Sequence, residues 1–174
     1  IVGHDANNNG AQLLAFNIAK VLLTHFGVEV RFVLCADGPL LGTYRALAPV
    51  HLVSNESGDA ISVLGELAAE GYSLAIVNTT VSGKLLPALK RLGFSVIALI
   101  HELPNLLRSY NLSEEACAIA KYADQVIFPA RIVQEGFVAF AGPILHGSEI
   151  LPQGLYNTPL LAAASNAQEL RSEL

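Results

Sequence analysis

Ile1-Val2-Gly3-His4-Asp5-Ala6-Asn7-Asn8-Asn9-Gly10-Ala11-Gln12 runs from the stub of an apolar strand, through a polar loop, into a helix. The helix is marked by apolar residues at Leu13, Leu14, Phe16, Ile18, Val21 and Leu22, and Phe26-Gly27 ends it just past His25. A strand, a short Asn/Gly turn and a helix N-terminus make an anion site, because unpaired backbone N–H groups and the positive end of the helix dipole converge there. Gly10 permits close backbone approach, and the asparagines tolerate tight turns while supplying amide donors. An unliganded surface turn is the competing reading, since one glycine is a weak motif.

Outward from this unit the pattern repeats. Residues 28–34 form a near-continuous apolar strand, of the kind buried on both faces of a parallel sheet. Asp37-Gly38-Pro39 breaks it, and a short helix through Leu41, Tyr44 and Leu47 follows. His51-Leu52-Val53 is a third strand, and 57–69 a helix closed by Gly71. Residues 74–77 give a fourth strand, with Asn78-Thr79-Thr80-Val81-Ser82-Gly83 as its loop and 84–92 as its helix. The fifth strand, 95–100, ends in His101-Glu102-Leu103-Pro104. A loop over 105–111 leads to a helix capped by Ser113, with Glu114 and Glu115 in its first turn. Residues 125–128 are a sixth strand, Pro129 opens another helix, and Ile150-Leu151-Pro152-Gln153-Gly154 is a last short strand and exit turn. Strand and helix alternate with short connections throughout. This predicts an α/β fold: an open, mostly parallel sheet with helices on both faces.

The chain has 174 residues, 52% of them hydrophobic, enough for one domain with a sizeable core. A net charge of -5 argues against a nucleic-acid partner, which calls for a basic face. Cys35 and Cys117 lie in apolar contexts and are expected to be buried reduced thiols, which places the protein in the cytoplasm. No apolar run approaches a membrane span and no signal peptide precedes the fold. The chain begins inside a strand and contains no methionine, so it reads as a piece of a longer protein. The helix 84–92 carries Lys84, Lys90 and Arg91 beside Leu85, Leu86, Leu89 and Leu92. That composition fits either a peripheral membrane contact or, as preferred here, an ordinary helix whose leucines are core.

Ligands of open parallel sheets bind outside the carboxyl ends of the strands. Polar residues collect there: Asn7 to Gly10, Asn78 to Gly83, and His101-Glu102. The last pair puts an imidazole and a carboxylate at one crevice, although a structural histidine fits equally well. Other chemistries fit poorly. There is no G-x-G-x-x-G after the first strand, no phosphate-loop lysine motif, and no G-x-S-x-G nucleophile elbow. His4, His25, His51, His101 and His146 have no metal-ligand spacing, so no metal and no cofactor are expected.

The stretches 5–12, 101–104, 123–129 and 150–154 occur in the order seen in family 4 glycosyltransferases, which this sequence resembles over most of residues 1–156. The resemblance implies the N-terminal, acceptor-side domain of a retaining GT-B enzyme of cell-wall or surface-polysaccharide synthesis. It implies a nucleoside diphosphate sugar as donor and a saccharide or lipid-linked acceptor. By the same resemblance Asn8, Asn9, Gly10 and Ala11 approach the donor diphosphate, and His101 and Glu102 stand at the reacting centre. Asn78, Thr79 and Ser82 lie on the acceptor side, and Pro152-Gln153-Gly154 is where the chain enters a second domain. Gly10-Ala11 replaces the two adjacent glycines of many members. Residues 157–174 are expected to be a linker or exit helix toward an absent second domain, which carries the family's paired glutamates, so this piece alone is expected to be inactive. A non-catalytic Rossmann-like binding or interaction domain is the alternative.

Overall fold

Strand and helix alternate as the apolar periodicity predicts. The computed structural model describes residues 1–53 and 58–153. Its strands are β1 (Val2–Gly3), β2 (Phe32–Leu34), β3 (Val50–Leu52), β4 (Leu74–Asn78), β5 (Ser95–Leu99), β6 (Gln125–Phe128) and β7 (Gly147–Ile150). The helices are α1 (Gly10–Phe26), α2 (Leu41–Leu47), α3 (Asp59–Ala69), α4 (Leu86–Arg91), α5 (Pro104–Ser109), α6 (Ser113–Tyr122) and α7 (Arg131–Ala141). All strand pairs are parallel, in the order β3-β2-β1-β4-β5-β6-β7.

Register builds the core. Val2 pairs with both Val33 and Val77, Val77 with Ala98, and Ala98 with Val126, so one apolar row crosses the sheet. Right-handed crossovers put α1 and α2 on one face and α3, α4, α6 and α7 on the other. Two clusters result. Phe32 and Leu34 pack with Ala19, Leu41 and Tyr44, and the larger cluster joins Val77, Val96 and Val126 to Leu64, Leu86, Leu89, Ile119 and Phe137. The side of α1 against the sheet is made of Gln12, Ala15 and Ala19. Small residues there bring the helix close, and the flanking leucines are only half-buried.

The differences from the sequence expectations have local causes. Strand β2 is shorter than 28–34, because its ladders with β1 and β3 begin at Phe32 and Val33. The expected loop 105–111 contains α5, whose Pro104 occupies a helix-starting position where proline's missing N–H costs nothing. Residues 80–85 wind into a 3-10 turn before α4, so the helix expected over 84–92 starts late. Gly83 belongs to that turn and packs against the Glu115 carbonyl, which leaves no room for a side chain. Ser113 is the first residue of α6 rather than its cap, and α7 begins at Arg131 rather than at Pro129. The last strand ends at Ile150 instead of starting there. Ser57, Gly154 and the expected exit segment 157–174 lie outside the described residues.

Leu86 and Leu89 are fully buried and Leu85 nearly so. The apolar side of α4 is therefore core, and truncating either fully buried leucine to Ala is expected to cost about 2–5 kcal/mol. Among the described residues no helix is long and apolar enough to cross a membrane. Both cysteines are free, as expected, but only Cys35 is partly covered; Cys117 is exposed on α6. Burial pushes the Cys35 thiol up from its ordinary range, which keeps it protonated and unreactive.

Candidate functional site

The order β2-β1-β4-β5 places a topological switch between β1 and β4, where the crossovers leave to opposite faces. A crevice opens at the carboxyl ends of such strands. His4 follows β1, Asn78 ends β4 with Thr79 behind it, and His101 stands two residues beyond β5. The parallel register carries all of them to this one edge.

The loop from β1 to α1 is held from several sides. Asp5 accepts hydrogen bonds from the Asn7 backbone at 3.1 Å and the Asn7 amide at 2.6 Å. It also accepts from Nε2 of Gln12. From below, Leu40 N–H donates to the Ala6 carbonyl at 2.8 Å, and the buried Tyr44 hydroxyl donates to the Gln12 carbonyl at 2.7 Å. Burial, with the Asp5 carboxylate adding to it, pushes the Tyr44 phenol up to about 12, so it remains a donor. Gly38 lies directly under Ala6 and Asn7, where any Cβ would overlap their backbone.

Asn8, Asn9 and Gly10 are exposed at the tip, and Ala11 is half-buried. Asn9 occupies the N-cap position of α1 in extended backbone, yet its side chain makes no capping bond. The N-terminal turn thus keeps its N–H groups without a side-chain cap, and nothing lies within 4 Å of a Cβ built on Gly10. The space above the helix end is open to a ligand.

Beside the loop stand two histidines. His4 Nδ1 lies 3.0 Å from the Thr79 hydroxyl, and its Nε2 lies 3.3 Å from Gln12 Nε2 and 3.4 Å from Asp5. Gln12 is 3% exposed, and its Oε1 has no hydrogen-bond partner among the described residues. His101 Nε2 lies 3.1 Å from Asn78 Oδ1, while Asn78 Nδ2 donates to the Ala11 carbonyl at 2.9 Å. Gln153 Nε2 meets His101 Nδ1 at 2.6 Å. Burial lowers the His101 pKa from its usual 6.5, against the opposing pull of Glu102, so the neutral imidazole is favoured.

The sequence-predicted residues divide in two. Asn8 to Ala11, Asn78 and His101 lie at one edge of the sheet, where hydrogen bonds join Ala11, Asn78 and His101. Glu102 is occupied: it accepts from Thr80 N–H and the Thr80 hydroxyl, both at 3.0 Å, and from His101 N–H at 3.2 Å. Thr79 and Ser82 are buried, and the Ser82 hydroxyl donates to the Asn78 carbonyl at 3.1 Å. In this conformation Ser82 offers no group to an acceptor. Thr79 carries positive φ (73°) with ψ 155°, which a β-branched residue rarely adopts.

Sequence reasoning left His4, Gln12, Gly38 and Gln153 without roles in the site. Gln12 gave a signal, because it shares the inner side of α1 with Ala15 and Ala19. A glutamine on such a side needs partners inside.

No protein-family model and no curated protein matches the chain. Solved structures do. HepE of Anabaena, solved in complex with UDP-glucose, superposes with a TM-score of 0.73 over 96% of this chain and 49% of its own, at 18% identity. UGT2 of Phytolacca americana, complexed with UDP-2-fluoro-glucose and pterostilbene, gives 0.61 over 92% and 55%, at 10% identity. A sucrose-phosphate synthase from Thermosynechococcus elongatus gives 0.52 over 98% of each chain, at 15% identity. The chain spans about half the length of the first two. The fold is thus a Rossmann-like α/β sheet of the kind these structures contain.

Proposed function

We propose that the chain is the N-terminal, acceptor-side domain of a retaining, nucleotide-sugar-dependent glycosyltransferase of the GT-B class, resembling family 4, in cell-wall or surface-polysaccharide synthesis. One observation carries this reading. An uncapped helix N-terminus, Asn78 and His101 converge at the switch point of a sheet whose solved neighbours include a complex with UDP-glucose. The helix end suits a diphosphate, by dipole and free N–H groups. The imidazole suits a neutral hydroxyl of the donor sugar, because its own neutral form is favoured.

The proposed roles join what the resemblance implies to the contacts of each residue. Asn8, Asn9, Gly10 and Ala11 approach the diphosphate as a second domain closes over this one. His101 contacts the donor sugar beside the reacting bond and orders it there. Glu102 is a positioning residue: its oxygens are spent on Thr80 and the His101 backbone, so it holds the two crevice loops together instead of exchanging protons with substrate. The acceptor, a saccharide or a lipid-linked one, enters beside the β4 loop. Donor and acceptor are substrates, and no further cofactor enters the scheme.

Titration calorimetry on the full-length protein with UDP-, GDP- and ADP-sugars tests the reading, with mass spectrometry following nucleoside diphosphate release. Binding of one donor class with acceptor-dependent release is expected. Failure of every donor to bind favours a non-catalytic Rossmann-like module.

A further inference from the structure

We propose that Asn78 is a positioning residue that fixes His101 in its Nε2–H tautomer and leaves Nδ1 as the acceptor of the crevice. The argument starts from a group that cannot change role. The Ala11 carbonyl only accepts, so the Asn78 atom 2.9 Å away must be the amide nitrogen. Asn78 is 2% exposed, and flipping its amide would set two oxygens against each other with little access for water. The other end of the amide is therefore Oδ1, which also only accepts. The His101 Nε2 lying 3.1 Å from it must carry the proton. In the neutral ring Nδ1 then bears the lone pair, and the Gln153 amide donates to it at 2.6 Å. One carbonyl on the first turn of α1 thus sets the protonation pattern of a ring beyond β5, through a single buried asparagine.

The pattern selects ligand chemistry. A group that replaces Gln153 at Nδ1 must bring an O–H or N–H, whereas a fully ionised phosphate oxygen would meet a lone pair. Sugar hydroxyls satisfy this and leave the diphosphate to the α1 terminus, so the inference refines the glycosyltransferase reading and rests on it for its catalytic meaning. The tautomer itself does not rest on that reading and is measured without ligand.

The test is nitrogen-15 NMR on the full-length protein labelled at histidine, at a pH well above the imidazole range. The wild type is expected to show Nε2 of His101 protonated, with an observable exchange-protected ring proton, and Nδ1 unprotonated. Asn78→Leu removes the acceptor and is expected to lose that proton signal to solvent exchange. A proton on Nδ1 in the wild type, or survival of the signal unchanged in Asn78→Leu, would each overturn the proposal. Should Asn78→Leu fail to fold, the wild-type tautomer still decides. Failure here with donor binding intact refutes the tautomer alone; failure of donor binding with the signal as expected refutes the enzyme reading alone.

Discussion

The Thr79 hydroxyl meets His4 Nδ1 at 3.0 Å from a backbone held at φ 73°. A β-branched residue in this region carries about 1–3 kcal/mol of strain, which the surrounding structure must offset. Here the Thr79 N–H bonds the Leu99 carbonyl at 3.0 Å, and Glu102 grips the next residue.

Strain of this kind reverses an ordinary ranking. Thr79→Ala keeps the positive φ and loses the hydroxyl contact, so it should destabilise by roughly 0.5–1.5 kcal/mol. Thr79→Gly loses the same contact but relieves the strain, against a glycine entropy cost of about 0.5–1 kcal/mol. Thermal melts should therefore find the glycine variant at least as stable as the alanine one. A glycine variant melting clearly earlier contradicts the strained backbone.

Glu102 tests the distinction between positioning and proton transfer. Glu102→Ala strands the buried Thr80 N–H and should cost about 1–3 kcal/mol. Glu102→Gln still offers one oxygen, so it should melt between the alanine variant and the wild type and retain most turnover in the full-length enzyme. Abolished turnover at unchanged stability would restore Glu102 as an acid or base.

Gly38 supports the loop by lacking a side chain. A Cβ there would lie 2.6 Å from the Asn7 nitrogen and closer to the Ala6 carbonyl. Gly38→Ala should cost about 1–3 kcal/mol as the loop shifts to make room. Donor affinity, read by calorimetry at a temperature where the variant is folded, should fall with it. Affinity equal to wild type would separate this loop from donor binding.

How much of this was legible beforehand depends on the physics of each piece. Apolar runs such as 74–77 and 125–128 announce strands: Ala75, Val77, Val126 and Phe128 are buried, and Ile76 and Ile127 on the other face are partly covered. Strand ends were less legible, since Val28 and Val30 look like Phe32 until the ladder shows where pairing begins. Pro104 reads as a breaker or as a helix start, and only Leu107 turning into the core decides for α5. The position of His101 at the sheet edge was legible from the apolar strand before it. Its partners were not, because Ala11, Asn78 and Gln153 are far apart in sequence and meet only through the register. The same holds for Glu102: sequence shows a carboxylate beside a histidine, not the Thr80 groups that bond to it.

The depressed His101 pKa has a defined sign. Below 6.5 the unfolded chain takes up the proton before the folded one, because burial disfavours the charged ring. Stability from this group is present above that value and is lost as pH falls through the lower folded pKa. The melting-temperature difference between wild type and His101→Gln should therefore shrink as pH drops below 6.5. A difference that grows on acidification contradicts a buried neutral imidazole.

The central claim, that His101 orders the donor sugar in a glycosyl-transfer site, is tested most directly by turnover of full-length His101→Ala. Both proteins are assayed where their melts show them fully folded. Losing one preorganised contact in a water-poor site costs on the order of 3 kcal/mol of transition-state stabilisation, or ~100-fold in rate. A fall of that size in the folded variant is the expected result. A variant that melts earlier yet, while folded, transfers sugar at the wild-type rate would contradict the account.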